Sequence, residues 1–317
     1  MYHIGIDLGG TNIAAAIVTE EGKMICKDSI PTLREREHTE ILKDMAQLCL
    51  RLMKEEGLKE KDIYSIGIGS PGTADPEKGI LLYANNLKFH NVCMRKELQK
   101  YISVPVYLEN DANCAALGES ISGAAKSYKD SVTITLGTGV GGGIIVDGQI
   151  VSGSFHGGGE LGHHVIKMDG DRCSCGRLGC WEVYASATAL IRDARIAAAK
   201  NPKSLLLRLV DGDIQKMNAK IPFDAAQQGD KIAQEVINQY IHYLAVGIVN
   251  IINVLQPEVI VVGGGVSAQG ENLLVPLRKE VERQIYGSDK IKTKIVAAEL
   301  GNDAGIIGAA MLSKIYG

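Results

Sequence analysis

Apolar residues alternate with smaller or more polar ones over residues 2–7, and this period of two predicts a β-strand. Asp7-Leu8-Gly9-Gly10-Thr11-Asn12 follows, then a second predicted strand over 13–19. Glu20-Glu21-Gly22-Lys23 turns the chain into a third strand over 24–30. The period then lengthens. Ile41, Leu42, Met45, Leu48, Leu52 and Met53 recur at helical spacing, so a helix is expected over 39–56, with Gly57 as its stop. Residues 63–69 read as a strand that runs into the turn Ser70-Pro71-Gly72-Thr73. Residues 106–108 read as a short strand ending at Glu109-Asn110-Asp111, before a small-residue helix from 112 to about 122.

The same pattern then restarts. A β-branched strand over 131–136 enters Gly137-Thr138-Gly139-Val140-Gly141-Gly142-Gly143, and Asp147-Gly148 between two apolar runs signals a hairpin. Helices are expected over 183–200 and 231–255, the second with Asp230 as N-cap and Pro257 just beyond its end. An apolar run over 259–262 reads as a buried strand entering Gly263-Gly264-Gly265-Val266-Ser267. A helix over 271–286, a strand near 294–298 and a last helix over 303–315 complete the chain. Two halves thus begin alike, with a strand, a glycine turn carrying a threonine, and a hairpin return. We read an architectural duplication in which each half is a mixed sheet with helices on its faces.

Between these elements lies a stretch of different chemistry. His163, Cys173, Cys175 and Cys180 stand at H-x9-C-x-C-x4-C spacing, with Gly176 and Gly179 between the sulfurs. Three thiolates and one imidazole make the closed tetrahedral set that Zn2+ prefers, so the expected metal is structural rather than catalytic. The plainer reading is three unrelated thiols beside a surface histidine. Glu160 and Glu182 flank the knot, which suits it to frame a substrate pocket.

Gly137 to Gly142 also matches G-x-G-x-x-G, but that motif signals a dinucleotide site only where a helix follows, and here a hairpin does. The turns Gly9-Gly10-Thr11 and Gly137-Thr138-Gly139 instead suit a phosphate, which backbone N–H groups and a hydroxyl can hold, with Asp7 placed to hold Mg2+ through water. Two ordinary tight hairpins are the alternative. Gly264 and Gly265, after a buried strand, offer flat backbone for an adenine or ribose. Asp111 reads equally as an N-cap or as a general base at a strand end.

Bulk properties narrow the setting. A net charge of -3 argues against nucleic acid held through its phosphates. No apolar run approaches the roughly 20 residues of a membrane span, and the opening Met-Tyr-His-Ile-Gly-Ile-Asp has no signal-peptide character. Four scattered cysteines, Cys26, Cys49, Cys93 and Cys114, remain outside the knot and suggest a reducing, cytoplasmic location.

Together, D-L-G-G-T-N at 7–12, L-G-T-G-V-G-G-G at 136–143, E-L-G-H at 160–163 and C-S-C-G-R-L-G-C at 173–180 resemble the ROK family of sugar kinases and sugar-responsive repressors, over essentially the whole chain. The resemblance implies an actin-like, hexokinase-type ATPase fold of two α/β domains, with ATP and sugar in the cleft between them. We expect a smaller domain from 1–118 plus 299–317 and a larger one from 119–298 that carries the knot. By resemblance Asp111 is the catalytic base, and Asn110, Glu160, His163, Glu182 and the backbone of Gly72 hold the sugar. Asp7, Gly9, Gly10, Thr11, Asn12, Thr138, Gly139, Gly264 and Gly265 then hold Mg2+-ATP. His163 serves zinc through one ring nitrogen and the sugar through the other. The family's repressors carry an N-terminal helix-turn-helix, for which a motif beginning at Asp7 leaves no room, so a kinase is expected over a sugar sensor. The loops at 70–79 and 84–87 look most like the family's glucokinases, while its N-acetylmannosamine kinases tend to carry Arg where Thr73 stands. Glucose is the expected sugar, with mannose, fructose and N-acetylated hexosamines as alternatives, and a homodimer or homotetramer the expected assembly.

Overall fold

The N-terminal alternation forms an antiparallel meander of β1 (Tyr2–Leu8), β2 (Asn12–Thr19) and β3 (Met24–Pro31). The amphipathic helix α1 (His38–Glu55) buries the apolar stripe read from the sequence, Ile41 to Met53, in the core beneath that sheet. The computed structural model describes residues 1–287 and 292–317. β4 (Ile63–Ser70) returns parallel to β1. A small antiparallel sheet of β5 (Thr73–Asp75), β6 (Ile80–Ala84) and β7 (Phe89–Val92) then precedes α2 (Met94–Leu98). β8 (Val106–Asn110) joins β4 in parallel and leads straight into α3 (Asp111–Ser122). The first main sheet has the order β3-β2-β1-β4-β8.

The second half repeats the opening move. β9 (Ser131–Leu136), β10 (Val140–Val146) and β11 (Gln149–Ile150) follow in sequence, and Asp147 and Gly148 both take positive φ (50° and 75°), as a two-residue hairpin requires. Helices α4 (Glu182–Ala185), α5 (Ala187–Lys200), α6 (Leu205–Arg208), α7 (Ile221–Gln227), α8 (Lys231–Leu255) and α9 (Glu271–Gln284) carry the chain onward. β12 (Val259–Gly263), which precedes α9, and β13 (Lys294–Ala297) complete a sheet of order β11-β10-β9-β12-β13. The last helices are α10 (Ala304–Ala310) and α11 (Ser313–Tyr316).

Two compact units result. The first comprises Met1–Thr133, Gly143–Gly159 and Glu299–Gly317; the second comprises Ile134–Gly142 and Glu160–Ala298. Within the first, α10 lies backbone to backbone on β4 and α3. A Cβ at Gly67 would fall 1.7 Å from the Ala309 carbonyl oxygen, and one at Gly308 1.7 Å from that of Cys114. Only glycine permits such an approach, which explains the small-residue run at the end of the chain. Within the second, α8 is capped by the Asp230 side chain, as expected. Among the described residues no helix is long and apolar enough to cross a membrane.

Two expected helices are broken. The run 183–200 divides at Ser186, whose extended backbone and side-chain bond to the Ala189 N–H start a new helix, while the Ala187 N–H donates to the Gly137 carbonyl instead of along the helix. The last helix divides at Met311 and Leu312.

Candidate active site and metal centre

In the first unit the β1–β2 turn is held from behind. The buried Thr32 donates its hydroxyl to the Gly9 carbonyl at 2.7 Å and its N–H to that of Thr11 at 2.8 Å, and the Gly9 N–H reaches the Asn12 carbonyl at 3.0 Å. Asn12 begins β2. Nothing in the sequence around Thr32 signalled this role. Arg34 was also missed: its guanidinium lies 3.9 Å from where a Cβ on Gly10 would stand.

The capping question at Asp111 has a clear answer. Asn110 is the N-cap: its Oδ1 accepts from the N–H groups of Ala112 (2.8 Å) and Asn113 (3.2 Å). The N-cap reading of Asp111 is therefore corrected, because a residue earlier the equally good capper Asn already does that work. Asp111 stands at the first helical position, where its Oδ1 also accepts from the Ala112 N–H at 2.9 Å. The Asn110 Nδ2 donates to the Gly72 carbonyl at 3.0 Å. Gly72 has φ +95°, and any Cβ there would strike the Tyr83 carbonyl at 2.0 Å, so the loop after β4 needs glycine on both counts.

Asp7, at the end of β1, and Asp111 lie close enough to interact. Burial, and then the charge of Asp111, push the Asp7 carboxyl up to about 6 against the pull of Lys27. Burial likewise raises Asp111, opposed by the Ala112 N–H. Two half-buried carboxyls close enough to raise each other's cost of charging form a site that gains by receiving a cation.

The fold favours protonated Asp7, so the stability it contributes is full below about pH 4 and is lost as pH rises through about 6. Asp7→Asn is expected to stabilise the metal-free protein at pH 7.5 by on the order of 2 kcal/mol, and by less at pH 5. Urea unfolding of both proteins at the two pH values checks this, and an equal difference at both contradicts it.

In the second unit the knot is a built object. Short bridges pair Val165 with Cys180 and Arg172 with Leu178, and the Cys173 N–H bonds the Arg177 carbonyl at 2.8 Å. The donor atoms of His163, Cys173, Cys175 and Cys180 all lie within 4.8 Å of one another. Cys173 Sγ is 3.7 Å from His163 Nδ1, and Cys175 Sγ is 3.6 Å from Cys180 Sγ. A tetrahedron with metal–sulfur arms of about 2.3 Å has edges of roughly 3.8 Å, so the set fits a metal such as Zn2+. With Nδ1 turned to the sulfurs, the Nε2 of His163 is the nitrogen left for another partner. Trp181 anchors the knot to α8: it is fully buried, donates to the Tyr243 carbonyl at 2.9 Å, and its indole fills the space over Gly247.

Glu182 links this knot to the second glycine turn. Its Oε2 accepts from the Val140 N–H at 3.0 Å, while its Oε1 lies 4.0 Å from Cys173 Sγ. A Cβ at Gly139 would stand 2.2 Å from the same carboxylate, so the turn is shaped to Glu182. The Thr138 carbonyl accepts from the Thr188 hydroxyl at 2.7 Å. The Glu160–His163 turn packs on the start of β10: a Cβ on Gly162 would lie 2.2 Å from the Val140 carbonyl. Gly264 (φ +80°) lies against Leu136, bringing the third glycine cluster, with Gly265 next in line, beside the second. Thus Asp7, Gly9, Gly10, Thr11, Asn12, Gly72, Asn110 and Asp111 belong to the first unit. Thr138, Gly139, Glu160, His163, Glu182, Gly264, Gly265 and the three thiols belong to the second.

Comparison with known proteins adds the following. The sequence model of the ROK family matches residues 3–315. A glucokinase of Thermotoga maritima is 39% identical, the alignment covering 98% of this chain and 96% of that protein. The structure of a ROK family glucokinase from Streptomyces griseus in complex with glucose and AMPPNP is similar at a TM-score of 0.82 and 35% identity, over 98% of this chain and 99% of that one. A xylose repressor of Caldicellulosiruptor bescii is 30% identical over 96% of this chain and 76% of its own length.

Proposed function

We propose that this chain, which belongs to the ROK family, is an ATP-dependent hexose kinase whose preferred substrate is glucose, phosphorylated at the 6-hydroxyl. Its fold is the expected actin-like ATPase fold, with two mixed α/β sheets. The observation that carries the reading is Asp111, a half-buried carboxylate close enough to Asp7 to interact with it, at the start of a helix whose N-cap is its neighbour Asn110. In this reading Asp111 takes the proton from the sugar hydroxyl as that oxygen attacks the γ-phosphorus in line and ADP leaves. Mg2+, when bound, neutralises charge on the phosphate oxygens. Asp7 would hold Mg2+ through water, and the backbone of Gly9 to Asn12 and of Thr138 and Gly139 would supply N–H groups to the phosphates. Gly264 and Gly265 offer flat backbone to the nucleoside.

The sugar meets acceptors. Asn110, Asp111, Glu160, His163 and Glu182 supply three carboxylates, an amide and an imidazole, a set suited to a neutral polyol rich in O–H donors. Zn2+ at His163, Cys173, Cys175 and Cys180 is structural in this reading, since four protein ligands leave it no open position. Bound there, it would be held by the His163 ring and by Cys173, whose Sγ lies 3.7 Å from His163 Nδ1 and 4.0 Å from Glu182 Oε1. The glucokinase relatives and the glucose complex of the Streptomyces griseus enzyme support glucose.

The test is kcat/KM across glucose, mannose, fructose, N-acetylglucosamine and N-acetylmannosamine with Mg2+-ATP. Glucose is expected to lead with mannose second; an N-acetylated sugar or fructose ahead of glucose overturns the sugar assignment. A second reading, a sugar-binding regulator without catalysis, draws on the likeness to the xylose repressor. It is favoured if sugar binds and no sugar yields ADP.

A further inference from the structure

Glu109 is 1% exposed, at a position where an apolar residue would cost less. Among the described residues it makes no salt bridge. Neutral donors alone satisfy it: the Asn110 N–H at 2.7 Å, the Asn113 side-chain amide at 3.0 Å, and the hydroxyl of Tyr316. The first two belong to the cap and first turn of α3. The third comes from the penultimate residue of the sequence, 207 positions away. Asn110 in turn caps α3 and holds the Gly72 carbonyl.

We propose that Glu109, held by Tyr316, is the positioning residue that fixes Asn110 and Asp111 for phosphoryl transfer. The inference rests on the kinase reading for its kinetic consequence, but not for its structural one. A carboxylate at this place grips two donors on the helix turn that carries Asp111, and it can do so only while its other oxygen is satisfied. Tyr316 supplies that donor. Glu109 touches no reacting atom and acts through its neighbours.

Tyr316→Phe removes only the hydroxyl and leaves a buried anionic oxygen without a donor. It is expected to lower kcat by about tenfold to a hundredfold while KM for ATP changes less than about threefold. Glu109→Gln cannot accept at both ends and is expected to fall in the same range. Because the two residues act as one unit, the double variant should fall no further than the worse single one, whereas independent roles would multiply. Amide exchange at Ala112 and Asn113, measured by mass spectrometry on peptides spanning 105–115, should quicken about tenfold or more in both variants. Exchange unchanged in either variant, multiplicative losses, or kcat within about twofold of wild type overturns the proposal. A wild-type protein that phosphorylates no hexose overturns the kinase reading instead, and the exchange measurement still decides the positioning role.

Discussion

Asp111→Asn is expected to lower kcat by about 10²–10⁴-fold, the usual worth of general-base catalysis. Asparagine matches the shape of aspartate but cannot take a proton at neutral pH. Asn110 caps α3 in either protein, so the helix start should survive the change. That separation makes the variant informative: loss of a cap would cost about 1 kcal/mol of stability, whereas loss of a base costs rate. The variant should also be relieved of part of the repulsion between Asp7 and Asp111, and its metal-free form should be no less stable than wild type. Steady-state kinetics with glucose and Mg2+-ATP, alongside thermal unfolding, check both halves. A kcat within about tenfold of wild type would reduce Asp111 to a sugar ligand.

Cys175→Ala is expected to release the metal and to lower stability and sugar affinity together. A metal held at a thousand times its dissociation constant stabilises by about 4 kcal/mol. In a unit of roughly 150 residues, such as the second, each kcal/mol moves Tm by roughly 2–4 °C, so a fall of about 8–16 °C is expected. Without the metal the His163 ring loses its anchor, and Glu182 keeps the Val140 N–H but loses the ordered thiolate beside it. KM for the sugar should therefore rise more than KM for ATP. Elemental analysis should give one zinc per chain in the wild type and none in the variant, and chelation of the wild type should reproduce the thermal shift. Wild-type protein with well under one zinc and full activity contradicts this account.

What could be read in advance was set locally. The helix over 231–255 was legible to its ends because Asp230 caps it and Gln256 with Pro257 ends it within a few residues. Asp147-Gly148 fixed its own hairpin because both residues tolerate positive φ. The knot was legible because metal ligation constrains spacing directly. The break at Ser186 was not, since its cause is a hydrogen bond from Ala187 to Gly137, fifty positions away and across a turn. The sheet β5–β7 was missed because its strands have three to five residues and owe their burial to α2 and the core beneath them. At Asp111 the sequence left cap and base equally open, and the backbone geometry, not the residue types, placed the cap one residue earlier at Asn110. Glu109 carried a faint signal as one of three consecutive polar residues at a strand end, but its partner Tyr316 lies at the far end of the chain.

The central claim, transfer of the ATP γ-phosphoryl group to glucose, is tested most directly by 31P NMR of purified protein with Mg2+-ATP and glucose. The account predicts ADP and glucose 6-phosphate in equal amounts, dependent on glucose and lost in Asp111→Asn. ADP formed equally without sugar, or sugar bound with neither product formed, would contradict it.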